Sequence, residues 1–288
     1  MRELTITHAD RAWHQAFIDF VPRVFPSISF RRWASFGGWD AGYRVFALAD
    51  GERIVASAGL SAVDLLLHGQ PVRGWQLGAV GTDPAYRRRG LQRSVMTRLL
   101  AECPPDDLVF LFANDSVLDF YPRFDFQRGR EQLFGAEHHA APSGTPLRVL
   151  DLDSKGDRAL LSRVAARAEP ITDLFGARDY GRTLLWYLCN FHRDHMRYVA
   201  EHDSVIVAEQ VDSTLYVYDV LARVAFPLAS QLPRLIQAPI ERLEFAFTPS
   251  RDWPSALPTR EYTESPLFIR GRHQLPTTAF KFPTLAQT

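Results

Sequence analysis

The sequence predicts an α+β fold in two successive halves, built on a mixed, mostly antiparallel sheet. Two observations support this fold class. Short apolar runs typical of strands and hairpins are interspersed with segments in which apolar residues recur at the helical spacing of three and four. The order of helices, strand meander, helix and strand in residues 1–136 is then repeated in residues 148–288.

The composition is typical of a folded globular protein. Of the 288 residues, 46% are hydrophobic and 23% are charged, so disorder is not indicated. Lys+Arg and Asp+Glu balance at 33 each, and no global field therefore favours nucleic acid or an anionic membrane. Nearly all positive charge is arginine, which suits planar recognition of phosphate, although an arginine-rich genome would give the same bias.

Further sequence features concern the cellular compartment and metals. Cys103 and Cys189 lie one in each half, and a reduced cytosolic setting is the simpler interpretation. The N-terminus lacks an apolar signal core, and no apolar run approaches the roughly 18 residues of a membrane helix. We therefore predict a soluble cytoplasmic protein with no membrane partner. CxxC, HExxH and EF-hand-like spacings are missing, so no metal site is predicted.

The first part of the chain predicts a strand, two helical segments and an antiparallel meander. Asp10 suits the cap of the first helix, and Pro22 suits its end. The pair Asp50-Gly51 suits the tight turn of a hairpin. Strands are predicted at residues 4–7, 43–48, 54–60, 62–67 and 72–82, and helical segments at residues 10–21 and 30–39.

The stretch from Leu77 to Arg98 contains the strongest chemical signal. Its apolar first part predicts a strand that ends near Thr82, because Asp83-Pro84 removes a ladder donor and indicates a turn. Three arginines and Gly90 follow, and helical spacing then begins at Leu91. A helix start directs unpaired N–H groups and a positive dipole end to one point, which suits a phosphate or pyrophosphate. On composition alone, a solvated basic face is the commoner alternative.

The segment after this helix contains a candidate for chemistry, Tyr121. A buried strand is predicted at residues 108–113, Asn114 follows it, and a helical segment is predicted at residues 116–123. A further strand is predicted toward Leu133. A tyrosine between Phe120 and Phe124 is more often a core residue with a satisfied hydroxyl.

The second half repeats the order of elements but lacks the arginine–glycine turn. Residues 137–147 are polar, small and proline-bearing, which predicts a linker. After the strand at residues 214–221 comes Ala222-Arg223-Val224, with no glycine. The other strands are predicted at residues 148–152, 196–200, 205–209 and 243–247, and the helices at residues 157–168, 183–191 and 226–235.

Two motifs in the first half resemble the GNAT superfamily of N-acyltransferases. The run from Arg87 to Gln92 resembles the acyl-CoA-binding signature R/Q-x-x-G-x-G/A, although Gln92 stands where the family prefers Gly or Ala. That side chain either crowds the diphosphate or turns outward and leaves the backbone amide free. The run from Asn114 to Phe126 resembles the pattern N-x6-Y-x3-G-F, with Asp125 in place of the glycine. The tripled arginine resembles the tandem-domain, enhanced-intracellular-survival type.

The resemblance implies a GNAT acyltransferase fold for residues 1–136, a linker at 137–147 and a second GNAT-like α+β domain at 148–288. The second domain would supply shape and part of the acceptor pocket without binding CoA. The implied function is transfer of an acetyl or other short acyl group to an amine. The co-substrate would be acetyl-CoA or another acyl-CoA, and the acceptor a small-molecule or peptide amine.

The resemblance also implies a role for individual residues. Backbone groups near Val80 would contact pantetheine and the oxyanion, and Tyr121 would protonate the departing CoA sulfur as general acid. The guanidinium groups of Arg88 or Arg93 would add charge-assisted bonds to the pyrophosphate. The implied acyl-CoA contacts are Val80, Gly81, Thr82, Arg87, Arg88, Arg89, Gly90, Leu91, Gln92, Arg93 and Asn114.

Several alternatives stay open at the level of the sequence. No general base is identified; Asp40, Asp64, His68 and Glu131 are titratable candidates, for which a surface charge is the commoner role. The aromatic residues Trp33, Phe36, Trp39 and Tyr43 suit either an acceptor pocket or the core. The departures at Gln92 and Asp125 favour a second hypothesis, a non-catalytic acyl-CoA-binding module. Nucleic-acid binding is disfavoured by zero net charge, and the oligomeric state, a homo-oligomer included, is open.

Overall fold

The computed structural model describes residues 1–250 and 253–288, which form two β-sheets with helices packed on them. The strands are β1 (Arg2–Ile6), β2 (Tyr43–Asp50), β3 (Arg53–Leu67), β4 (Gln70–Thr82), β5 (Leu108–Phe112), β6 (Gln127–Arg128), β7 (Glu131–Ala140), β8 (Arg148–Val149), β9 (Phe175–Arg178), β10 (Met196–Val199), β11 (Ser204–Val211), β12 (Thr214–Leu221), β13 (Ile240–Phe245), β14 (Leu257–Tyr262) and β15 (Leu267–Arg270). The helices are α1 (Arg11–Val24), α2 (Arg31–Ser35), α3 (Leu91–Ala101), α4 (Lys155–Ala165), α5 (Gly181–Asn190) and α6 (Leu228–Leu235).

Both sheets are mixed and mostly antiparallel, as the sequence predicts. The first sheet has the order β1-β2-β3-β4-β5-β15-β6, with β9 paired to β3, and the second has the order β14-β7-β13-β12-β11-β10-β8. Among the described strands, β4 and β5 are the parallel pair of the first sheet, and β12 and β13 are that of the second. One helix connects each parallel pair, α3 in the first half and α6 in the second, because parallel strands need a long crossover.

The two sheets exchange strands near the boundaries predicted for the domains. The strand β7 follows the first half along the chain but pairs with β13 in the second sheet. The strand β15 returns to the first sheet and pairs with both β5 and β6. Residues 137–140, at the start of the predicted linker, belong to β7. The division of the chain into a CoA-binding and a CoA-free domain stays a prediction.

The first sheet is covered by α3 on one face and α1 on the other. Alternate residues of β2 point to opposite faces. Phe46 joins the cluster that contains Val95 and Leu99 of α3, and Val45 joins the cluster that contains Phe17 of α1. Full burial of one such side chain contributes about 1.5–3 kcal/mol. Two nonpolar clusters thus fix the sheet between its helices.

Several predicted elements differ from the observed ones for local reasons. The helix α1 continues past Pro22 to Val24, because its buried face, with Phe20 and Val21, compensates for the missing N–H donor. The Asp10 carboxylate accepts hydrogen bonds from the N–H and hydroxyl of Thr7 and does not cap α1.

The predicted helical segment at residues 116–123 is also wrong. The structure has two 3-10 turns there, Asp115–Val117 and Tyr121–Phe124, and Pro122 stands near the start of the second, where its missing N–H is tolerated. The predicted strands at 54–60 and 62–67 are one continuous strand, β3, and the predicted strand at 148–152 forms only over Arg148–Val149. The strands β9, β14 and β15 have no counterpart among the predicted elements. In the described part of the chain, the helices are too short or too polar to cross a membrane.

Candidate functional site

The strands β4 and β5 separate and leave a wedge between them. Their pairing ends where Leu77 stands opposite Leu111, but β4 continues to Thr82. A bulge in β4 contributes to the separation, because Ala79 has a left-handed φ of 48° and its carbonyl accepts a hydrogen bond of 2.9 Å from the Ser57 hydroxyl. Residues 78–82 therefore present backbone groups without a strand partner on the β5 side. An extended ligand with amide groups can bind along such an edge.

A buried carboxylate fixes the end of β4. Asp83 accepts hydrogen bonds of 2.9 Å from Arg23 Nε and 2.8 Å from Arg53 Nη2. The N–H of Ala85 also donates to it, at 3.2 Å. Burial tends to raise the pKa of Asp83, but the bonds from Arg53 and Arg23 outweigh burial and hold that pKa below its usual value. The ionised carboxylate thus joins β4 to α1 and β3 immediately before the arginine turn.

The turn before α3 offers free backbone amides to a ligand. Arg88 and Gly90 have left-handed φ angles of 63° and 73°, and α3 begins at Leu91. None of the amides from Arg88 to Gln92 donates to a backbone acceptor in the described residues. A left-handed conformation at a residue other than glycine costs about 1 kcal/mol and is typical of functional turns. Free amides at a helix start form an anion site.

The arginines of this turn have different partners. A groove of about 300 Å³ lies beside the turn and is lined by Arg87, Arg88 and Arg93 as well as by Gly90, Leu91 and Gln92. The side chains of Arg88 and Arg93 have no hydrogen-bond or ion-pair partner among the described residues. Arg87 Nε donates to the Thr82 carbonyl at 3.2 Å. Arg89 does not line the groove; its guanidinium lies 5.0 Å from the centroid of the Tyr86 ring.

A further arginine in the groove was not among the sequence candidates. Arg123 lines the groove together with Phe120 and Phe124. It has no side-chain partner within the described residues, and it is exposed. Its place beside the arginine turn depends on the path of the chain after β5, although its position two residues after Tyr121 in the motif was visible in the sequence.

The side chain of Gln92 points toward the sheet. Its Oε1 accepts a hydrogen bond of 3.0 Å from the Thr82 hydroxyl, and its Nε2 donates to the Ser57 carbonyl at 3.0 Å. The side chain therefore does not turn outward, although Gln92 lines the groove, and its backbone amide has no backbone acceptor among the described residues. Gln92 joins the start of α3 to the bulged region of β3 and β4.

Tyr121 faces a cavity of about 1160 Å³ that includes the wedge. The side chain is buried, and its ring packs against Phe126 and against Phe268 of β15. Its hydroxyl has no hydrogen-bond partner among the described residues, and burial raises the pKa of Tyr121 above its usual value of 10. Of the predicted acyl-CoA contacts, the cavity brings together Val80, Gly81, Thr82, Arg87, Gln92 and Asn114.

Aromatic side chains from both halves line the same cavity. Of the four aromatic candidates, Trp33 and Tyr43 line it. Phe36 lines a different, smaller pocket, and Trp39 packs in the core with its ring stacked 3.9 Å from that of His14. The aromatic residues that sequence reasoning did not single out are Phe25, Phe30, Phe112, Phe120, Trp186, Tyr187 and Phe191.

None of the candidate bases lines this cavity. Glu131 is buried and pairs with Lys281 at 3.2 Å, so the surface role expected for it is wrong. Asp40 pairs with Arg182 at 2.6 Å, and Asp64 and His68 are exposed elsewhere. The carboxylate side chains that do line the cavity, within the described residues, are Asp115 and Asp119.

Thr288 also lines the cavity, although it is 211 positions from Leu77, the residue to which it bonds. Its hydroxyl donates a hydrogen bond of 3.2 Å to the Leu77 carbonyl. A Cβ placed on Gly78 would lie 2.8 Å from the Thr288 Oγ1, so glycine at this position permits the close approach. No local pattern indicates this contact.

A cluster outside the cavity has the side chains of a cation site. The ligand atoms of His192, His195 and Glu209 lie within 4.8 Å of one another, and the Nδ1 atoms of the two histidines are 3.3 Å apart. Burial, and then the neighbouring His195, lower the pKa of His192 to about 4. Imidazole and carboxylate ligands suit a divalent transition metal, although a hydrogen bond also accounts for the approach of the two rings.

Comparisons with known proteins agree with this geometry. The family described as "Acetyltransferase (GNAT) domain" matches residues 4–129. The chain is similar to the structure of Eis1 from Mycobacterium abscessus, with 16% identity, a TM-score of 0.60 and coverage of 93% of this chain and 73% of that one. No curated protein matches the chain at a significant level.

Two further structures have the same fold over most of the chain. A probable N-acyltransferase from Enterococcus faecalis V583 has 13% identity, a TM-score of 0.54 and coverage of 93% and 72%. A GCN5-related N-acetyltransferase from Kribbella flavida has 16% identity, a TM-score of 0.54 and coverage of 93% and 70%. Residues 4–129 therefore match a GNAT acetyltransferase domain, and the fold of the chain as a whole is similar to that of Eis1 and of the two N-acyltransferase structures.

Proposed function

We propose that this protein is an N-acyltransferase that moves an acetyl or other short acyl group from acyl-CoA to an amine. One observation carries the proposal. The unpartnered hydroxyl of the buried Tyr121 faces the same cavity as the free edge of β4. The free amides and arginines of the turn before α3 lie beside that edge, at Thr82. A proton donor, an amide-binding edge and an anion site are the three parts that an acyl-CoA thioester requires.

In this proposal the donor binds along β4 and the turn. The amides from Arg88 to Gln92 hold the pyrophosphate, and the unpartnered guanidinium groups of Arg88 and Arg93 add charge-assisted hydrogen bonds. The pantetheine amides bond to the free edge between Gly78 and Thr82. The side chain of Gln92 supports this arrangement, because it holds the helix start against the sheet without occupying the groove.

The chemical step is aminolysis of the thioester. The amine nitrogen attacks the acyl carbonyl, a C–N bond forms, and the C–S bond breaks. Tyr121 donates a hydrogen bond and then a proton to the departing sulfur, and water takes the proton that the amine loses and returns one to the Tyr121 oxygen. Because burial raises the pKa of Tyr121, its hydroxyl stays protonated throughout the neutral range. An N–H near Val80 stabilises the oxyanion.

The alternative, a non-catalytic acyl-CoA-binding module, rested on two departures from the family signature. Asp125 has a left-handed φ of 64°, so it adopts the conformation for which the family uses glycine. Gln92 leaves its own amide free. Both departures are thus compatible with catalysis, and we favour the enzyme.

The first prediction concerns Tyr121→Phe. We expect kcat to fall about 100-fold, because the substitution removes only the proton donor, while the Kd for acetyl-CoA stays within twofold. Binding is measured by thermal shift and turnover by release of CoA thiol with a panel of amines. The matched control is Tyr198→Phe, which removes a hydroxyl bonded to Asp203 in the second half.

Two outcomes would contradict the proposal in different ways. Stabilisation by acetyl-CoA without thiol release, for any amine, would favour the binding module. The lack of a thermal shift with acetyl-CoA and with longer acyl-CoAs would overturn the donor assignment itself.

A further inference from the structure

Three buried polar side chains without partners form a row across the first sheet. Tyr43 of β2 stands opposite Ser61 of β3, and Ser61 stands opposite Gln76 of β4. They are only 4%, 1% and 0% exposed. The Tyr43 hydroxyl, the Ser61 hydroxyl and both amide atoms of Gln76 have no hydrogen-bond partner in the described residues. Residues opposite each other on adjacent strands share a face, so the three groups point to the same side of the sheet.

This polar row lies at the closed end of the wedge. Gln76 immediately precedes Leu77, where β4 and β5 separate, and Tyr43 and Ser61 both line the large cavity. Each unsatisfied buried polar group costs about 1–3 kcal/mol, and folded proteins leave few of them. A cluster of them beside a cavity indicates groups that a bound ligand satisfies.

An aromatic frame surrounds the polar row. The ring of Trp33 meets those of Phe30 and Tyr43 edge-on, at centroid distances of 5.2 and 5.4 Å. The second half contributes Trp186, whose ring centroid lies 6.0 Å from that of Phe30. Trp186 Nε1 is a further buried donor without a partner in the described residues. Ring faces and edges in this arrangement suit a flat aromatic group.

The charges that line the cavity disfavour a polycationic acceptor. At the aromatic end of the cavity, where the aromatic frame lies, the charged lining residue is Arg182. Its side chain is already paired with Asp40 and bonded to the Ala62 carbonyl. The carboxylate side chains in the described lining, those of Asp115 and Asp119, lie between β5 and Tyr121, in the segment that continues to the basic groove. A second ammonium group at the aromatic end would thus have no carboxylate side chain of the cavity lining as its counterion.

We propose that the acceptor is an aromatic primary monoamine that carries one neutral hydrogen-bonding substituent, such as a phenolic hydroxyl. This proposal rests on the proposed function, because it assigns the substrate class of the same site. The aromatic frame holds the ring, and the hydroxyls of Tyr43 and Ser61, which line the cavity, bond the substituent, with Gln76 next to Ser61 in the polar row. The free amine then attacks the acyl carbonyl and yields an N-acyl amide and CoA thiol.

The test compares kcat/KM for thiol release from acetyl-CoA with four amines. These are 4-hydroxyphenethylamine, phenethylamine, spermidine and a lysine-containing peptide. We expect 4-hydroxyphenethylamine to exceed phenethylamine about 10-fold, the value of one hydrogen bond to a buried site. We expect it to exceed spermidine and the peptide at least about 100-fold, because spermidine would place a second ammonium group where the lining has no carboxylate side chain, and the lysine side chain has no ring to fill the aromatic frame.

The Ser61→Ala variant provides a second readout. It should reduce the preference for 4-hydroxyphenethylamine over phenethylamine about threefold to tenfold and leave the Kd for acetyl-CoA unchanged. Since it removes a buried unpartnered hydroxyl, we also expect the Tm of the free protein to stay the same or to rise by about 2 °C. The matched control is Ser204→Ala, another fully buried serine, whose hydroxyl donates to the His202 carbonyl.

The outcomes separate this proposal from the function on which it rests. Thiol release that is as fast with spermidine or the peptide as with 4-hydroxyphenethylamine would overturn the acceptor class and leave the acyltransferase intact. An equal rate for the two aromatic amines, unchanged by Ser61→Ala, would overturn the role of the polar row. If none of the amines supports thiol release, the proposed function is overturned, and this inference with it.

Discussion

Neighbouring arginines in the turn before α3 have different surroundings. Arg88 lines the groove beside the free amides and has no side-chain partner among the described residues. Arg89 lies over the Tyr86 ring at 5.0 Å and does not line the groove. The family signature leaves the positions of Arg88 and Arg89 unspecified, but the geometry gives Arg88 the direct path to an anion.

The prediction at the scale of the residue compares Arg88→Ala with Arg89→Ala. We expect the first to raise the KM for acetyl-CoA about 10-fold, because a charge-assisted hydrogen bond to phosphate is lost. The second variant should raise this KM less than about twofold. It removes the same charge, but the Arg89 guanidinium lies over the Tyr86 ring and does not line the groove. Steady-state kinetics at fixed ionic strength measures both. Equal effects would show that only the net charge of the turn matters.

A buried carboxyl group connects the elements of the second half. Asp219 of β12 is fully buried and accepts hydrogen bonds of 2.8 Å from the Tyr180 hydroxyl and 2.8 Å from the Val220 N–H. Burial raises the pKa of Asp219 to about 7, although both hydrogen bonds act in the opposite direction. Tyr180 immediately precedes α5, the helix that carries Trp186 of the cavity wall. The pair thus links the second sheet to the aromatic frame.

The prediction at the scale of the element is a pH dependence. The unfolded carboxyl has a pKa near 3.9, so between about pH 4 and 7 the folded state binds more protons. Stability therefore falls as the pH rises through this window. We expect the free energy of unfolding to be roughly 2–3 kcal/mol lower at pH 8 than at pH 5 on account of Asp219.

Urea unfolding of the wild type and of Asp219→Asn at both pH values isolates this contribution. The amide does not titrate, so the variant should lose that part of the pH dependence. If the variant keeps the full dependence, other groups cause it.

At the scale of the whole molecule, a buried ion pair attaches the C-terminal segment to β7. Lys281 is fully buried, and its Nζ donates to Glu131 at 3.2 Å and to the Phe282 carbonyl at 3.1 Å. Glu131 is the first residue of β7 and also accepts from the Phe282 N–H, at 2.7 Å. Burial raises the pKa of Glu131 and lowers that of Lys281, while each charge opposes the shift of the other.

We predict that Lys281→Met lowers the free energy of unfolding by about 3–5 kcal/mol, because it leaves the Glu131 carboxyl buried without its partner. Adding Glu131→Gln to this variant should restore at least about 1 kcal/mol, since the amide oxygen can still accept from Phe282. Denaturant unfolding of the two single variants and the double variant measures the coupling. Strictly additive effects would contradict a coupled pair.

Local signals predicted the strand, turn and helix beside the cavity better than they predicted its aromatic wall. The strand, turn and helix from Leu77 to Arg98 form over consecutive residues, so turn chemistry and periodicity predict them. The wall that Trp186 provides and the contact of Thr288 with Leu77 join residues more than 100 positions apart. The fold was predicted by its order of elements, but the exchange of β7 and β15 depends on tertiary pairing that no local pattern specifies.

The position of β15 has a consequence for the synthesis of the protein. Phe112 of β5 pairs with Leu267, and more than half of the chain lies between them. While the ribosome makes that part, the edge of β5 is open, and an open edge can pair with other chains. Tyr121 also lacks the Phe268 ring that packs against it until β15 emerges. We therefore expect the site to become complete only after translation has passed residue 270, although its motifs are translated in the first half.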